Sequence, residues 1–224
     1  MVPTRFDAAD IAVRLDGVRE RIAAAGGDPA GVGVVAVTKG FGADAVRGAL
    51  GAGIVDIGEN YADELVAKAA ETEGADPVPR WHFLGAIQRN KVPRLAPLVA
   101  CWQGVSRLEE GRAIAKRRPG ASVLVQVDIA GIPGRGGCPP DGVVGLVSAL
   151  RDEALEVAGL MAVGPPGPPE GSRAGFRAVS VLADGLDLPV RSMGMTEDLE
   201  VAVAEGSTMI RVGRGLFGDR PPKD

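Results

Sequence analysis

Residues 34–40 read VVAVTKG, and Lys39 near their end is followed by Gly40, Phe41 and Gly42. The apolar run before the lysine has the pattern of a buried strand. A lysine at the mouth of such a strand carries an ammonium that is costly to desolvate. Its pKa tends to fall, and the neutral amine attacks carbonyls to form Schiff bases. The plainer alternative is an ordinary strand-end charge in solvent. A second group lies near the C-terminus, where Ser192, Met193, Gly194 and Met195 precede Arg211, Val212, Gly213, Arg214 and Gly215. Together they offer a hydroxyl, glycine-relieved backbone N–H groups and two guanidiniums, which is phosphate-binding chemistry. Taken singly, Gly213 and Gly215 read as tight packing, and Ser192 reads as a local turn hydroxyl.

The elements that would bring these groups together follow from periodicity. Ile11, Leu15, Val18 and Ile22 mark one face of a helix over 7–25, stopped by Gly26-Gly27. Strands are expected at 32–37, 54–57, 81–85, 101–105, 122–129, 157–163, 188–195 and 208–218. Helices are expected at 43–51, after Asn60, and over 107–118, 141–152 and 170–184. A last one follows Thr196, a candidate cap with Glu197 and Asp198 in its first turn. Regular βα alternation implies a parallel sheet. Eight units in 224 residues favour a closed (β/α)8 TIM-type barrel over an open doubly wound sheet. The expectation is one domain over 1–224.

Composition narrows the function. The chain carries 25 basic and 29 acidic residues for a net charge of −4, against a general nucleic-acid binder. The basic end of RLEEGRAIAKRR reads as a solvated helix terminus favoured by the dipole. Cys101 and Cys138 give neither zinc spacing nor a disulfide framework. No apolar signal core and no membrane-length run are present, so a soluble cytoplasmic protein is expected. AGIPGRGGCPPD reads as a long mobile loop, and GPPGPPEG as a plain connector.

In a barrel, strand C-terminal ends form the active face, and the last two loops commonly hold a phosphate. Lys39, Asn60, Ser192, Met193, Gly194, Arg211, Gly213 and Arg214 would then share one face. A Schiff-base lysine opposite a phosphate cradle suits a phosphorylated aldehyde, and pyridoxal 5′-phosphate (PLP) is the obvious candidate. Asn60 could touch that cofactor or cap a helix. Glu59 could be a surface carboxylate or a support behind the site. His82, the only histidine, should point opposite to Trp81 and Phe83, either toward the cofactor or into a satisfied core position. Gln88, Asn90 and Lys91 could form a loop network or a partner surface.

The motifs AVTKG, GENYADEL, WHFLGAIQRNK, GLMAV and SMGMTEDLEVAVAEGSTMIRVGRGLFG resemble those of the YggS/PROSC family of PLP-binding proteins, from about Val34 to Gly218. The resemblance implies a barrel similar to the N-terminal domain of alanine racemase, with PLP on Lys39. It also implies a role in PLP homeostasis and amino-acid balance without established turnover, and no established catalytic residue. It places Arg211 near the pyridine nitrogen, and phosphate contacts at Ser192, the neighbouring Met193–Gly194 backbone, Gly213 and Arg214. Three departures stand out. Arg214 replaces a usual Thr, Gly40 and Gly42 stand where Thr and Pro are common, and Ser106 replaces an Asp. The implied partners are PLP and PLP-dependent apoenzymes, and the expected state is a monomer. Two enzyme readings compete. A phosphosugar enzyme with an aldolase-type lysine has no motif behind it. An amino-acid racemase is weakened because alanine racemase takes a catalytic tyrosine from an extra β domain across a dimer, whereas Tyr61 is the only tyrosine here.

Overall fold

Asp7 starts the first helix, α1 (Ala8–Ala24), by accepting the Ala9 N–H at 2.7 Å. The face expected from the spacing, Ile11, Leu15, Val18 and Ile22, is the buried one. The structure, a computed structural model, describes residues 6–220. The first five and last four residues of the expected 1–224 unit lie outside the described residues. After α1 come β1 (Gly33–Val37), α2 (Ala43–Gly51), β2 (Asp56–Glu59), α3 (Ala62–Glu71), β3 (Arg80–Phe83) and the single turn α4 (Val92–Leu95). They are followed by β4 (Val99–Val105), α5 (Leu108–Ala115), β5 (Ser122–Val127), α6 (Val143–Asp152) and β6 (Glu156–Ala162). The chain ends with α7 (Arg173–Gly185), β7 (Val190–Ser192), α8 (Leu199–Ala204), β8 (Met209–Val212) and α9 (Arg214–Phe217).

The eight strands pair in chain order as a closed barrel. All pairs are parallel, and β8 closes on β1 with Val34 opposite Ile210 and Ala36 opposite Val212. Closure decides between the two sheet architectures left open by strand counting. It also leaves no sheet edge exposed.

Two buried layers result from strand alternation. Ala36, Ile57, Trp81, Phe83 and Trp102 belong to one apolar cluster with helix residues such as Ile11, Leu65 and Ile114. Val35, Val37, Leu124 and Met161 are buried outside that cluster. Gly58 faces the second group, because a Cβ there would stand 2.8 Å from Leu84 Cδ1 and 3.0 Å from Val35 Cγ1. The helix α1 packs on α2, α8 and α9. Phe6, Phe41 and Phe217 seal this junction, with ring centroids 5.3–5.7 Å apart.

Several expected strands are shorter in the structure, the seventh and eighth most of all, and the fifth ends at Val127 rather than 129. The seventh stops at Ser192 rather than running to 195, and the eighth stops at Val212 rather than 218. At Gly213 the backbone leaves the extended region (φ −108°, ψ −78°) and turns into α9. The second strand begins two residues later than expected, at Asp56. No helix among the described residues is long and apolar enough to cross a membrane.

Candidate functional site

At the C-terminal ends of the strands lies a cavity of about 410 Å³. Lys39, Asn60, Arg211, Gly213 and Arg214 all line it, so five of the eight expected site residues converge. Ser192, Met193 and Gly194 are not among its lining residues. The Ser192 side chain is instead fully buried, with its hydroxyl donating to Gln103 Oε1 at 2.7 Å and accepting from Arg211 Nη1 at 2.8 Å. Met193 sits in the apolar core. The Gly194 carbonyl accepts the Arg211 N–H at 3.0 Å.

Lys39 lies two residues beyond β1 and is half-buried. Burial, then the positive charges of Arg220 and Arg211, lower its pKa against the opposing pull of Glu59 and Glu64. Arg211 is anchored from β8. It donates to the carbonyl oxygens of Ser192 (2.6 Å) and Ala162 (2.8 Å) as well as to the Ser192 hydroxyl. Burial brings its pKa down to about 10, opposed by Asp198, so the guanidinium stays charged at neutral pH.

Asn60 was expected either at the cofactor or as a helix cap. The N-cap of α3 is Tyr61, with no side-chain cap bond, while Asn60 lines the cavity and its Oδ1 is buried without a partner. Its backbone explains the glycine in WHFLG, because a Cβ at Gly85 would lie 2.0 Å from the Asn60 carbonyl oxygen. Thr196 does not cap the following helix. Its hydroxyl accepts the Gly215 N–H at 3.2 Å, and Asp198 accepts the Met195 N–H at 2.7 Å. Arg214 pairs with Glu197 at 2.6 Å on the rim.

Several contributors escape the sequence reading, among them Pro165, Pro166, Gly167 and Pro169 of the stretch read as a plain connector, which line the cavity. Thr196 lines the cavity, although it was assigned to a helix start. Arg135 enters from the loop after β5, which is tied back by Cys138 N–H to Gln126 O (2.7 Å) and Asp128 N–H to Cys138 O (2.9 Å). Its Nη1 is buried without a partner. A further contribution comes from α1. Arg21 donates to the Thr196 carbonyl at 2.8 Å and pairs with Glu200, while Arg14 donates to the Leu216 carbonyl at 2.8 Å. One helix thus braces both segments that frame this side of the cavity. No local signal marks such contacts, because their partners lie 175–202 residues away. Lys91 joins Arg94 around Asp63, which is the loop-network alternative.

The donor set fits a phosphorylated aldehyde. Lys39 has no hydrogen-bond partner among the described residues, and the same cavity holds two orphaned polar atoms, Asn60 Oδ1 and Arg135 Nη1. A buried polar atom without a partner is costly, and a polar ligand relieves that cost.

The alanine racemase N-terminal domain family matches residues 11–221. The chain belongs to this family. A protein named pyridoxal phosphate homeostasis protein from Pseudomonas aeruginosa is 40% identical over 211 residues, 91% of each chain. Membership therefore extends to the pyridoxal phosphate homeostasis proteins, as the motif resemblance implied. The structure of PipY from Synechococcus elongatus, solved with PLP bound, superposes with a TM-score of 0.82 at 31% identity. That match covers 93% of this chain and all of the other. Alanine racemase from Streptomyces coelicolor shares the fold (TM-score 0.71, 20% identity), with 95% of this chain matched to 59% of the larger one.

Proposed function

We propose that this chain binds PLP as a Schiff base on Lys39 and serves PLP homeostasis without amino-acid turnover of its own. The observation that carries this reading is Lys39 itself, a half-buried amine without a hydrogen-bond partner among the described residues, sharing its cavity with Arg211. When bound, PLP supplies an aldehyde carbon and a phosphate dianion. Burial and the neighbouring guanidiniums favour the neutral amine that the aldehyde requires. Arg211 offers a fixed positive charge to the pyridine ring. Thr196, Arg214 and the backbone from Gly213 onward would hold the phosphate, with α1 bracing that side, while Asn60 and Arg135 would bring their unpartnered atoms. The Ser192–Gly194 segment supports this arrangement through Arg211. The same reading makes PLP-dependent apoenzymes the recipients, and the chain a cytoplasmic monomer.

The test is direct. The purified protein is incubated with PLP, reduced with borohydride, digested and analysed by mass spectrometry. The pyridoxyl adduct is expected on Lys39. An adduct on Lys68 or Lys91 instead removes the assignment.

A further inference from the structure

Behind Lys39, between β1, β2 and α3, lies a buried ion cluster that the binding reading does not use. Lys68 on α3 is 4% exposed, and Glu59 is fully buried. The Lys68 ammonium meets three acceptors: the Thr38 carbonyl at 2.8 Å, Glu59 Oε1 at 2.5 Å and Glu64 Oε2 at 3.3 Å. An ammonium has three protons, so its donors are fully engaged. The Thr38 hydroxyl donates to the same Glu59 oxygen at 2.6 Å. Glu64 Oε2 in turn accepts the Gly40 N–H at 2.8 Å.

These contacts fall on the two residues that flank Lys39. The Thr38 carbonyl and the Gly40 N–H both end on the cluster. Thr38 O also accepts the Phe41 N–H at 3.0 Å, closing a turn with Lys39 and Gly40 at its centre. Gly40 has φ +77°, the value a type II turn requires at its third residue. The turn that presents Lys39 is therefore held at its carbonyl by Lys68 and at its amide by Glu64.

We propose that Lys68 is a positioning residue for Lys39: clamped by Glu59 and Glu64, it fixes the 38–41 turn so that the Lys39 amine is presented to the cavity. Charge neutralisation of a buried carboxylate alone would not require a bond to Thr38 O, nor Glu64 on the next amide. The same cluster also separates two lysines of one site by role. Lys68 has all three of its donors engaged, while Lys39 has no hydrogen-bond partner among the described residues. The inference rests on the reading of Lys39 as the PLP-binding lysine.

The experiment has one arm without PLP. Competitive acetylation by acetic anhydride at graded pH, read by peptide mass spectrometry, gives the titration profile of Lys39. The charged groups acting on Lys39 are Arg220, Arg211, Glu59 and Glu64. In Lys68→Met, the 38–41 turn loses its hold on the Thr38 carbonyl and buried Glu59 loses the cation that opposes its protonation, so the Lys39 profile is expected to move. In Glu64→Ala, one carboxylate and the Gly40 acceptor are lost, so the profile is expected to move to lower pH. In the second arm, borohydride-trapped PLP on Lys39 is titrated. Both variants are expected to need about tenfold more PLP for half-saturation. A merely structural role would lower the melting temperature and leave the profile in place. Should Lys68→Met fail to fold, Glu64→Ala decides, because its side chain is 35% exposed and the Glu59–Lys68 pair survives. Profiles and half-saturation within about twofold of the unmodified chain overturn the proposal. Wild-type protein that traps no PLP on Lys39 refutes the binding reading instead, while the acetylation profiles still decide the positioning role.

Discussion

Arg211 and Ser192 are joined twice, with one guanidinium nitrogen donating to both the carbonyl oxygen (2.6 Å) and the hydroxyl (2.8 Å). Arginine cannot accept, so the Ser192 hydroxyl must point its own proton elsewhere, and it donates to Gln103 Oε1. The Gln103 amide then donates to His82 Nδ1 at 2.7 Å, which leaves the His82 proton on Nε2, facing Asp56 at 2.8 Å. Burial works to raise the Asp56 pKa, but hydrogen bonds from His82 and Arg80 outweigh it and hold the carboxyl below its ordinary value. A one-way chain of hydrogen bonds therefore crosses the barrel from a cation at the cavity to an anion at the start of β2.

This chain predicts the effect of Gln103→Leu. The substitution strands the Ser192 hydroxyl and His82 Nδ1, two buried groups at about 1–3 kcal/mol each. Unfolding in urea without PLP should show a loss of about 2–4 kcal/mol. A loss below about 0.5 kcal/mol, the range of neutral surface changes, would mean the chain contributes nothing.

His82 shows which part of this was legible beforehand. Strand alternation correctly opposed it to Trp81 and Phe83, and of its two readings the satisfied core histidine is the one the structure shows. Its partners come from other strands, which periodicity cannot name. The barrel was legible because eight apolar runs alternate with helical ones. Strand ends were not, because segments 193–195 and 213–218 keep a strand-like composition while turning away. Arg211 N–H donates to Gly194 O beyond the end of β7, so the pairing continues after the strand geometry has ended. Lys39 stood out through its local setting. Thr196 and Arg135 reach the cavity only through tertiary folding.

Lys39 should destabilise the PLP-free protein at neutral pH. Its folded-state pKa lies below the ordinary lysine value of 10.5, chiefly through burial. Between the two values the unfolded chain binds more protons than the native one, so stability rises with pH through that window. Below the folded pKa the penalty is fully present. Lys39→Met should therefore unfold at higher urea than the unmodified chain at pH 7, and the gap should narrow as pH rises toward 10.5. A gap that is absent or that widens with pH would show that the amine is not strained by its surroundings.

Racemisation of free amino acids should be negligible. In the proposed binding mode the Arg211 guanidinium would stand beside the pyridine nitrogen and oppose a second positive charge there. An unprotonated ring is a weaker electron sink for a carbanion at the substrate carbon. No tyrosine lines the cavity among the described residues, and Tyr61 is 49% exposed. L-alanine and D-alanine, followed by chiral chromatography with PLP-loaded protein, should interconvert far below ordinary enzyme rates of about 1 per second. Turnover at or above that rate contradicts the reading.

The Arg214 guanidinium is already paired with Glu197 on the rim, both side chains well exposed (59% and 67%). An exposed pair of this kind is worth about 0–1 kcal/mol. A phosphate that recruits the guanidinium must first break this pair and then hold a mobile side chain. Its gain is therefore smaller than the roughly 1.5–3 kcal/mol of an uncontested hydrogen bond to a charged group. Arg214→Ala should weaken PLP retention in equilibrium dialysis by less than about fivefold, near 1 kcal/mol. Glu197→Gln releases the guanidinium and should tighten PLP, an effect that salt diminishes and that disappears when Arg214 is also alanine. If Arg214→Ala instead costs about tenfold or more and Glu197→Gln changes nothing, the guanidinium serves the phosphate directly, and its pairing with Glu197 belongs only to the protein without PLP.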